Sequence, residues 1–392
     1  MKMKFFPVIT TSLVGLALSS TVSALGCPAP PPPPPTQTAS PNNYEAAAAK
    51  PVPPKPSVQP LLPWPTPPKP YCNSKCVPIV RKSWRKLSDS EKSQYIAAVK
   101  CLKKAKTVSG LAGAKGMFDD FQGIHSVQTP NIHWVGHFIL WHRYFLAVYE
   151  NALRKQCGYA GAQPYWDWET DNASGLDMDD WPIFDSKTGF GGNGPYQDGA
   201  NPFNIPNRSG GGCVPDGPFA SPAFTVNIGP GTSTTYNPHC LARDFSRTLM
   251  GWGNQTGINW VWDTPNYGWF ARRIENIPDF TVPNIHGSGH FGVGGALGTM
   301  GDAYNSPGDP IFFLHHANLD RVFWQWQWQP KNLPHSLSDV SGPIIPFDYT
   351  NKQGGNVTTT FQVNIGGLAG NVTLLDLLNT QSTTLCYTYA AP

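Results

Sequence analysis

The chain has 392 residues, a net charge of +3 and only 14% charged residues. That length leaves room for a large buried core in one or two domains. The near-neutral balance excludes the strongly basic footprint of a nucleic-acid-binding protein, and beyond the first residues no apolar run is long enough to span a bilayer.

Residues 1–24 have the form of a secretory signal: Lys2 and Lys4, an apolar stretch, then Val22-Ser23-Ala24 as a small-residue cleavage site. A secreted, extracellular protein with no membrane partner is expected. Residues 25–70 are rich in proline from Pro28 onward. Such a segment favours extended polyproline conformation and cannot bury a core, so it reads as an exposed spacer. A globular domain is expected over 71–392. The basic stretches Arg81–Lys86 and Lys100–Lys106 alternate with apolar residues and read as solvated helix faces.

From Lys82 to Lys106 the pattern is helical, with a start signal at Ser88 and an apolar stripe through Tyr95, Ile96, Val99 and Leu102. A second helix is expected from Phe138 to Lys155, where Phe138, His142, Phe145 and Tyr149 share one face. Residues 185–240 are rich in Gly, Pro and Asn and read as long loops. Asp309-Pro310 makes a good helix start, opening a helix through about Gln327. Residues 344–392 alternate polar and apolar and read as short strands. The expected fold is mainly α, with long loops and a few strands.

The eight cysteines, Cys27, Cys72, Cys76, Cys101, Cys157, Cys213, Cys240 and Cys386, form no CxxC pair. An even count in an exported chain favours disulfides. Cys213 and Cys240 flank a loop they could close, but spacing alone fixes no pairing. Glycosylation sequons stand at Asn172, Asn207, Asn254, Asn356 and Asn371, so N-glycans are a further expectation.

Every histidine except His239 and His335 falls in one of three windows, 125–142, 286–290 and 315–316. Neutral imidazole is the commonest protein metal ligand, so this clustering points to a metal site. His286 and His290 share one face if the segment is helical. Gly287 and Gly289 weaken that helix, which metal ligation would help to hold. His316 lies in the helix opened by Pro310 and completes a trio. His133 and His142 would lie on opposite faces, about 13 Å apart, along one straight helix. They can share a metal with His125 only if His133 sits at or before the helix start, and Gly136 offers the break. Six imidazoles without thiolate suit copper or zinc rather than magnesium or calcium. The Glu-x-x-His pairs of a di-iron site are absent.

The run Asp309-Pro310-Ile311-Phe312-Phe313-Leu314-His315-His316-Ala317-Asn318-Leu319-Asp320 resembles the second copper signature of tyrosinases, catechol oxidases and haemocyanins. The stretch His133-Trp134 through Phe138 to Trp141-His142-Arg143-Tyr144-Phe145 resembles their first. The likeness covers residues 72–392 and is to the short secreted fungal members. It implies a helical bundle around two copper ions in a dinuclear type 3 centre. His125, His133 and His142 would bind the first copper, and His286, His290 and His316 the second. His315 would stand behind the ligands, and Asp320 would orient them. Arg81 and Tyr387-x-Tyr389 look like markers of the two ends of the core domain, and no C-terminal shielding domain is expected.

Two departures from the family pattern bear on activity. Asn131 stands where many fungal relatives carry a cysteine bonded to the middle histidine. Gly287 stands where efficient monophenol hydroxylases often carry Asn, which with a nearby Glu is thought to orient a water that deprotonates the phenol. Glu275 is the candidate for that Glu, and Met300 falls where the family places a residue flanking the substrate entrance. The resemblance therefore implies an oxidase using dioxygen to convert o-diphenols to o-quinones, weak on monophenols. A full tyrosinase and a haemocyanin-like dioxygen carrier are the alternatives.

Overall fold

The computed structural model describes residues 76–276 and 282–390. The signal-like and proline-rich segments, with Cys27 and Cys72, lie outside the described residues. The described chain enters as a short strand, β1 (Ile79–Arg81). The first helix, α1 (Asp89–Leu102), starts where Ser88 predicts it. The Ser88 hydroxyl accepts from the Glu91 amide and the Glu91 carboxylate accepts from the Ser88 amide at 2.8 Å, a reciprocal cap.

The next helix, α2 (Met117–Ile132), was not foreseen, and it contains Gly123 and Pro130, residue types that ordinarily weaken a helix. Asp119 makes up for the weak Gly116 start by accepting from the Gly116 and Lys115 amides. Pro130 falls in the last turn and can donate no amide to the Ser126 carbonyl, and the helix ends two residues later. Helix α3 (Phe138–Cys157) ends at Gly158, whose φ of 65° is the left-handed conformation that helix C-termini favour. A disulfide between Cys101 and Cys157 ties α1 to α3.

After α4 (Trp168–Ala173) the chain runs as long loops, crossed by isolated bridges and closed by the Cys213–Cys240 disulfide. Four helices follow: α5 (Arg247–Met250), α6 (Gln255–Trp262), α7 (Tyr267–Glu275) and α8 (Ile285–Gly294). The last three start with Asn254, Asn266 and Asn284, each accepting from the amide three residues on. Helix α9 (Ile311–Gln327) is buried along its whole length, and its charged residues Asp320 and Arg321 are paired with Arg143 and Glu169. It packs against α3 in the centre of the hydrophobic core.

The C-terminal stretch bears out the expectation of short strands over 344–392 in part. Its strands are two or three residues long: β2 (Gln362–Val363) pairs antiparallel with β3 (Val372–Thr373), and β4 (Tyr387–Tyr389) pairs in parallel with β1. Between them lie turns and α10 (Leu374–Leu378). The alternation arises instead from turns such as the one where the Asp348 carboxylate accepts from the amides of Lys352, Gln353 and Gly354. The Cys76–Cys386 disulfide locks the two ends of the described chain beside β1 and β4.

Arg81 corrects a second expectation. It is no solvated residue but fully buried, its guanidinium 3.5 Å from the centre of the Tyr387 ring and 2.7 Å from Glu150. Among the sequons, Asn207, Asn356 and Asn371 are exposed, whereas the Asn172 amide donates to the carbonyls of Trp168, Met250 and Gly253. No helix among the described residues is long and apolar enough to cross a membrane.

Candidate metal centre

His125 lies within α2, His133 is the residue that ends it, and His142 sits one turn into α3. The expected break between His133 and His142 is present. Trp134 adopts a left-handed φ of 53°, and Gly136 donates its amide to the Pro343 carbonyl at 2.8 Å. A Cβ on Gly136 would run into the Ser341 and Gly342 backbone, so this close approach needs glycine. The turn brings three histidines from two helices together. His286 and His290 occupy successive turns of α8, and His316 projects from α9. In each triad one ring nitrogen per histidine lies within 4.8 Å of the other two. The triads face each other, with the His142 and His316 rings stacked at 4.5 Å and the His133 and His286 rings at 6.0 Å.

Backbone carbonyls set the tautomers. The Nδ1–H groups of His125, His133 and His142 donate to the carbonyls of Tyr304, Thr129 and Phe138 at 2.9, 3.1 and 2.9 Å. His290 donates likewise to Met300 at 3.0 Å. A carbonyl only accepts, so each Nδ1 carries the proton and each Nε2 keeps its lone pair for a metal. The Nε2 atoms of His125, His142 and His286 are buried without a hydrogen-bond partner. Burial pushes all six rings below their ordinary pKa, His133 and His290 to about 4, and holds them in the neutral, ligating form. Phe138 packs against His142 and His286, and Phe312 against His316 and His125, drying the space between the triads.

Neutral imidazoles in two facing sets of three, with three of the Nε2 atoms orphaned and those of His290 and His316 3.1 Å apart, fit a pair of copper ions. The class defined is a dinuclear type 3 copper protein. The chain matches the family description "Common central domain of tyrosinase" over residues 115–329, a span containing both triads. It is 35% identical over 329 residues to the tyrosinase-like protein phomQ1 of Diaporthe leptostromiformis, covering 80% of this chain and 77% of that one. It is 30% identical over 350 residues to Tyrosinase P of Aspergillus terreus, covering 82% of this chain and 94% of that one. The solved structure of a glycine-to-asparagine mutant of the polyphenol oxidase from Thermothelomyces thermophila matches with a TM-score of 0.71 at 32% identity, covering 80% of this chain and 89% of that one. The chain therefore belongs to the tyrosinase family, oxidoreductases that act on phenols with dioxygen, and its two histidine triads are positioned to form a dinuclear copper site.

The remaining expected residues fall in distinct places. Glu275, at the end of α7, is buried beside the first triad. Its Oε2 accepts from the Trp134 amide at 2.7 Å, and its Oε1 is buried without a partner. Burial holds its carboxyl well above the usual carboxylate range. Gly287 follows His286, and its amide donates to Asn284 Oδ1 at 2.8 Å. Met300 is fully buried in the core rather than at an entrance, and it serves the site through its carbonyl, which holds His290. His315 stands behind α8, donating from Nε2 to the His286 carbonyl at 3.0 Å, with Gly289 pressed against its ring.

Asp320 is a correction. It orients no ligand histidine among the described residues. It accepts instead from Arg143 at 2.6 Å, from the Tyr389 hydroxyl at 2.6 Å and from the Tyr387 hydroxyl, because one turn beyond His316 it faces the arginines behind the site. His137 is neither a surface nor a cavity residue. It is buried, stacked on Phe361 at 4.5 Å and donating to the Asn131 carbonyl. Thr129 and Asn284 escaped the sequence reading. The Thr129 hydroxyl donates to the His125 carbonyl at 2.8 Å while its own carbonyl holds His133. Asn284 as a helix cap two residues before His286 was the available signal.

Proposed function

We propose that this chain is a secreted catechol oxidase, converting o-diphenols to o-quinones and hydroxylating monophenols only weakly. The observation that carries this reading is the bond from Gly287 to Asn284. Gly287 offers no side chain toward the site. The side-chain amide of Asn284 is spent on structure, its oxygen taking the Gly287 amide and its nitrogen donating to the Glu275 carbonyl. A side chain at 287 would meet Asn284 at 3.2 Å. Burial pushes the Glu275 carboxyl well above the usual carboxylate range, which favours its neutral form, and only the ionised form can take a phenol proton.

In this reading His125, His133 and His142 hold one copper, and His286, His290 and His316 hold the other. The coppers, when bound, supply the redox chemistry: two catechols give up four electrons and four protons, and one dioxygen becomes two waters. The chain supplies the rest. Carbonyls of Tyr304, Thr129, Phe138 and Met300 fix four ring orientations. Phe138 and Phe312 exclude water. The residual exposure of the six histidine residues falls on His133, His286 and His290, at 6%, 8% and 7%, against 0% to 1% for His125, His142 and His316. Substrate therefore approaches from the His133–His286 side.

Secretion is part of the proposal. Three disulfides among the described cysteines suit an oxidising compartment, and residues 1–24 supply the leader, 25–70 the spacer and 71–392 the catalytic domain. Oxygen uptake by the copper-loaded protein, with a catechol and with its matched monophenol, tests the activity. Fast uptake with catechol and a slow response to the monophenol is expected. Comparable rates would make the protein a full tyrosinase, and no uptake with either would favour a dioxygen carrier.

A further inference from the structure

We propose that Phe347 and Trp134 form an aryl-binding platform beside the site's open side, which selects phenolic substrates carrying a second aromatic ring. The assignment rests on oxidation of a phenolic ring between the triads. Trp134 directly follows His133, the most exposed ring of the first triad, and the two rings lie 5.8 Å apart. Phe347 then stacks on Trp134 at 4.7 Å with the planes inclined by 19°. Two ring separations thus lead outward from the site. At the end of that path Phe347 is 50% exposed.

The arrangement is held at some conformational expense. Trp134 and Phe347 have φ of 53° and 64°, left-handed values rarely adopted by bulky side chains. Such residues persist where the surroundings over-determine them, and they collect at ligand-binding sites. Here the surroundings do over-determine them. The Trp134 amide donates to Glu275 and its carbonyl accepts from the Phe347 amide at 3.1 Å. Beside Phe347, the Gly136 amide reaches Pro343 and the Asp348 carboxylate closes the following turn. The half-exposed Phe347 ring is therefore presented in one orientation, which lowers the entropy lost when a second ring stacks on it.

The occupant is chemically defined. It is an uncharged aryl group joined through a short chain to the position para to the reacting hydroxyl, as in two-ring plant-type phenols. A catechol bearing only a methyl group cannot reach Phe347.

The test compares 4-(2-phenylethyl)catechol with 4-methylcatechol. Phe347→Asn removes the ring while tolerating the left-handed backbone, and Phe347→Tyr keeps it. In the Asn variant the two-ring to one-ring ratio of kcat/KM should fall about fivefold, mainly through KM, and the Tyr variant should restore it. A ratio that stays the same in the Asn variant overturns the platform. Should the wild type oxidise neither catechol, the proposed activity fails, but the platform is still decided by calorimetric binding of 4-(2-phenylethyl)benzoate against benzoate. A roughly fivefold loss of the two-ring preference in the Asn variant supports it, and an equal preference sinks it.

Discussion

The two histidine triads are built by different means. The first stands on two long helices, α2 and α3, and each of its rings has Nδ1 bound to a backbone carbonyl. The second stands partly on α8, a ten-residue helix with glycine at 287, 289, 292 and 294, and there only His290 has such a carbonyl. His316 keeps a buried Nδ1 without a partner, and His286 is steadied by stacking parallel to His315, 6.1 Å away. The first triad is thus oriented by the fold itself, while the second relies on packing and on the ion it would hold. Copper should accordingly leave the second triad first during chelation.

The largest effect should come from removing a ligand in either half. His142→Ala and His316→Ala should each leave about one copper per chain and lower catechol oxidation by more than about a hundredfold. That exceeds the 10- to 100-fold typical of losing an outer hydrogen bond. Metal analysis beside oxygen uptake checks both, and a His316→Ala protein that still held two coppers would remove His316 from the ligand set.

Asp320 lies where the difference between the triads should disappear. It binds Arg143, next to His142 on α3, yet it belongs to α9 with His316, and it also joins Arg81 and the two tyrosines of β4. Both arginines are fully buried. Asp320→Ala would leave them without this carboxylate, and loss of one partner of a buried ion pair costs about 3–5 kcal/mol. Urea unfolding should show that loss, with copper affinity weakened at both triads together. Weakening at one triad alone would mean that α3 and α9 are not coupled through this carboxylate.

Gly289→Ala sharpens the contrast. A Cβ there meets the His315 ring, which supports the His286 carbonyl from behind. Affinity for the second copper should fall about 10- to 100-fold, the scale of a disturbed supporting bond, with the first copper retained. Stepwise chelation followed by metal analysis reads the two sites separately.

Much of this was legible in the sequence, but unevenly. Both signatures could be read because each lies within one continuous stretch, and the Ser88 cap and the turn at Gly136 obey local rules. Helix α2, which contains Gly123 and Pro130, was not foreseen, although Phe118, Phe121 and His125 keep helical spacing. The carbonyls that hold the rings were not legible at all. Tyr304 lies 179 residues from His125, and any residue type supplies a carbonyl, so no side-chain pattern marks it. The same holds for Asp320, whose partners gather from both ends of the chain. The family resemblance implied that it orients the ligands, but the buried Arg81 and Arg143 claim the carboxylate instead.

Acid should act on the two triads alike, because burial is the dominant cause of the lowered pKa in both. His133 from the first and His290 from the second sit at about 4 in the folded chain, against 6.5 for an ordinary histidine. The unfolded chain therefore binds more protons between those values, and stability falls as pH drops from 6.5 toward 4. Above 6.5 the contribution is complete and flat. At pH 5.5 each such ring should cost the metal-free protein roughly 1 kcal/mol, less than the loss of Asp320. Denaturant midpoints of the metal-free protein across this range measure it. His133→Gln and His290→Gln should flatten the pH slope by similar amounts. If only the His133 variant did so, burial would not be the cause that the two triads share, because both rings carry the same kind of carbonyl bond.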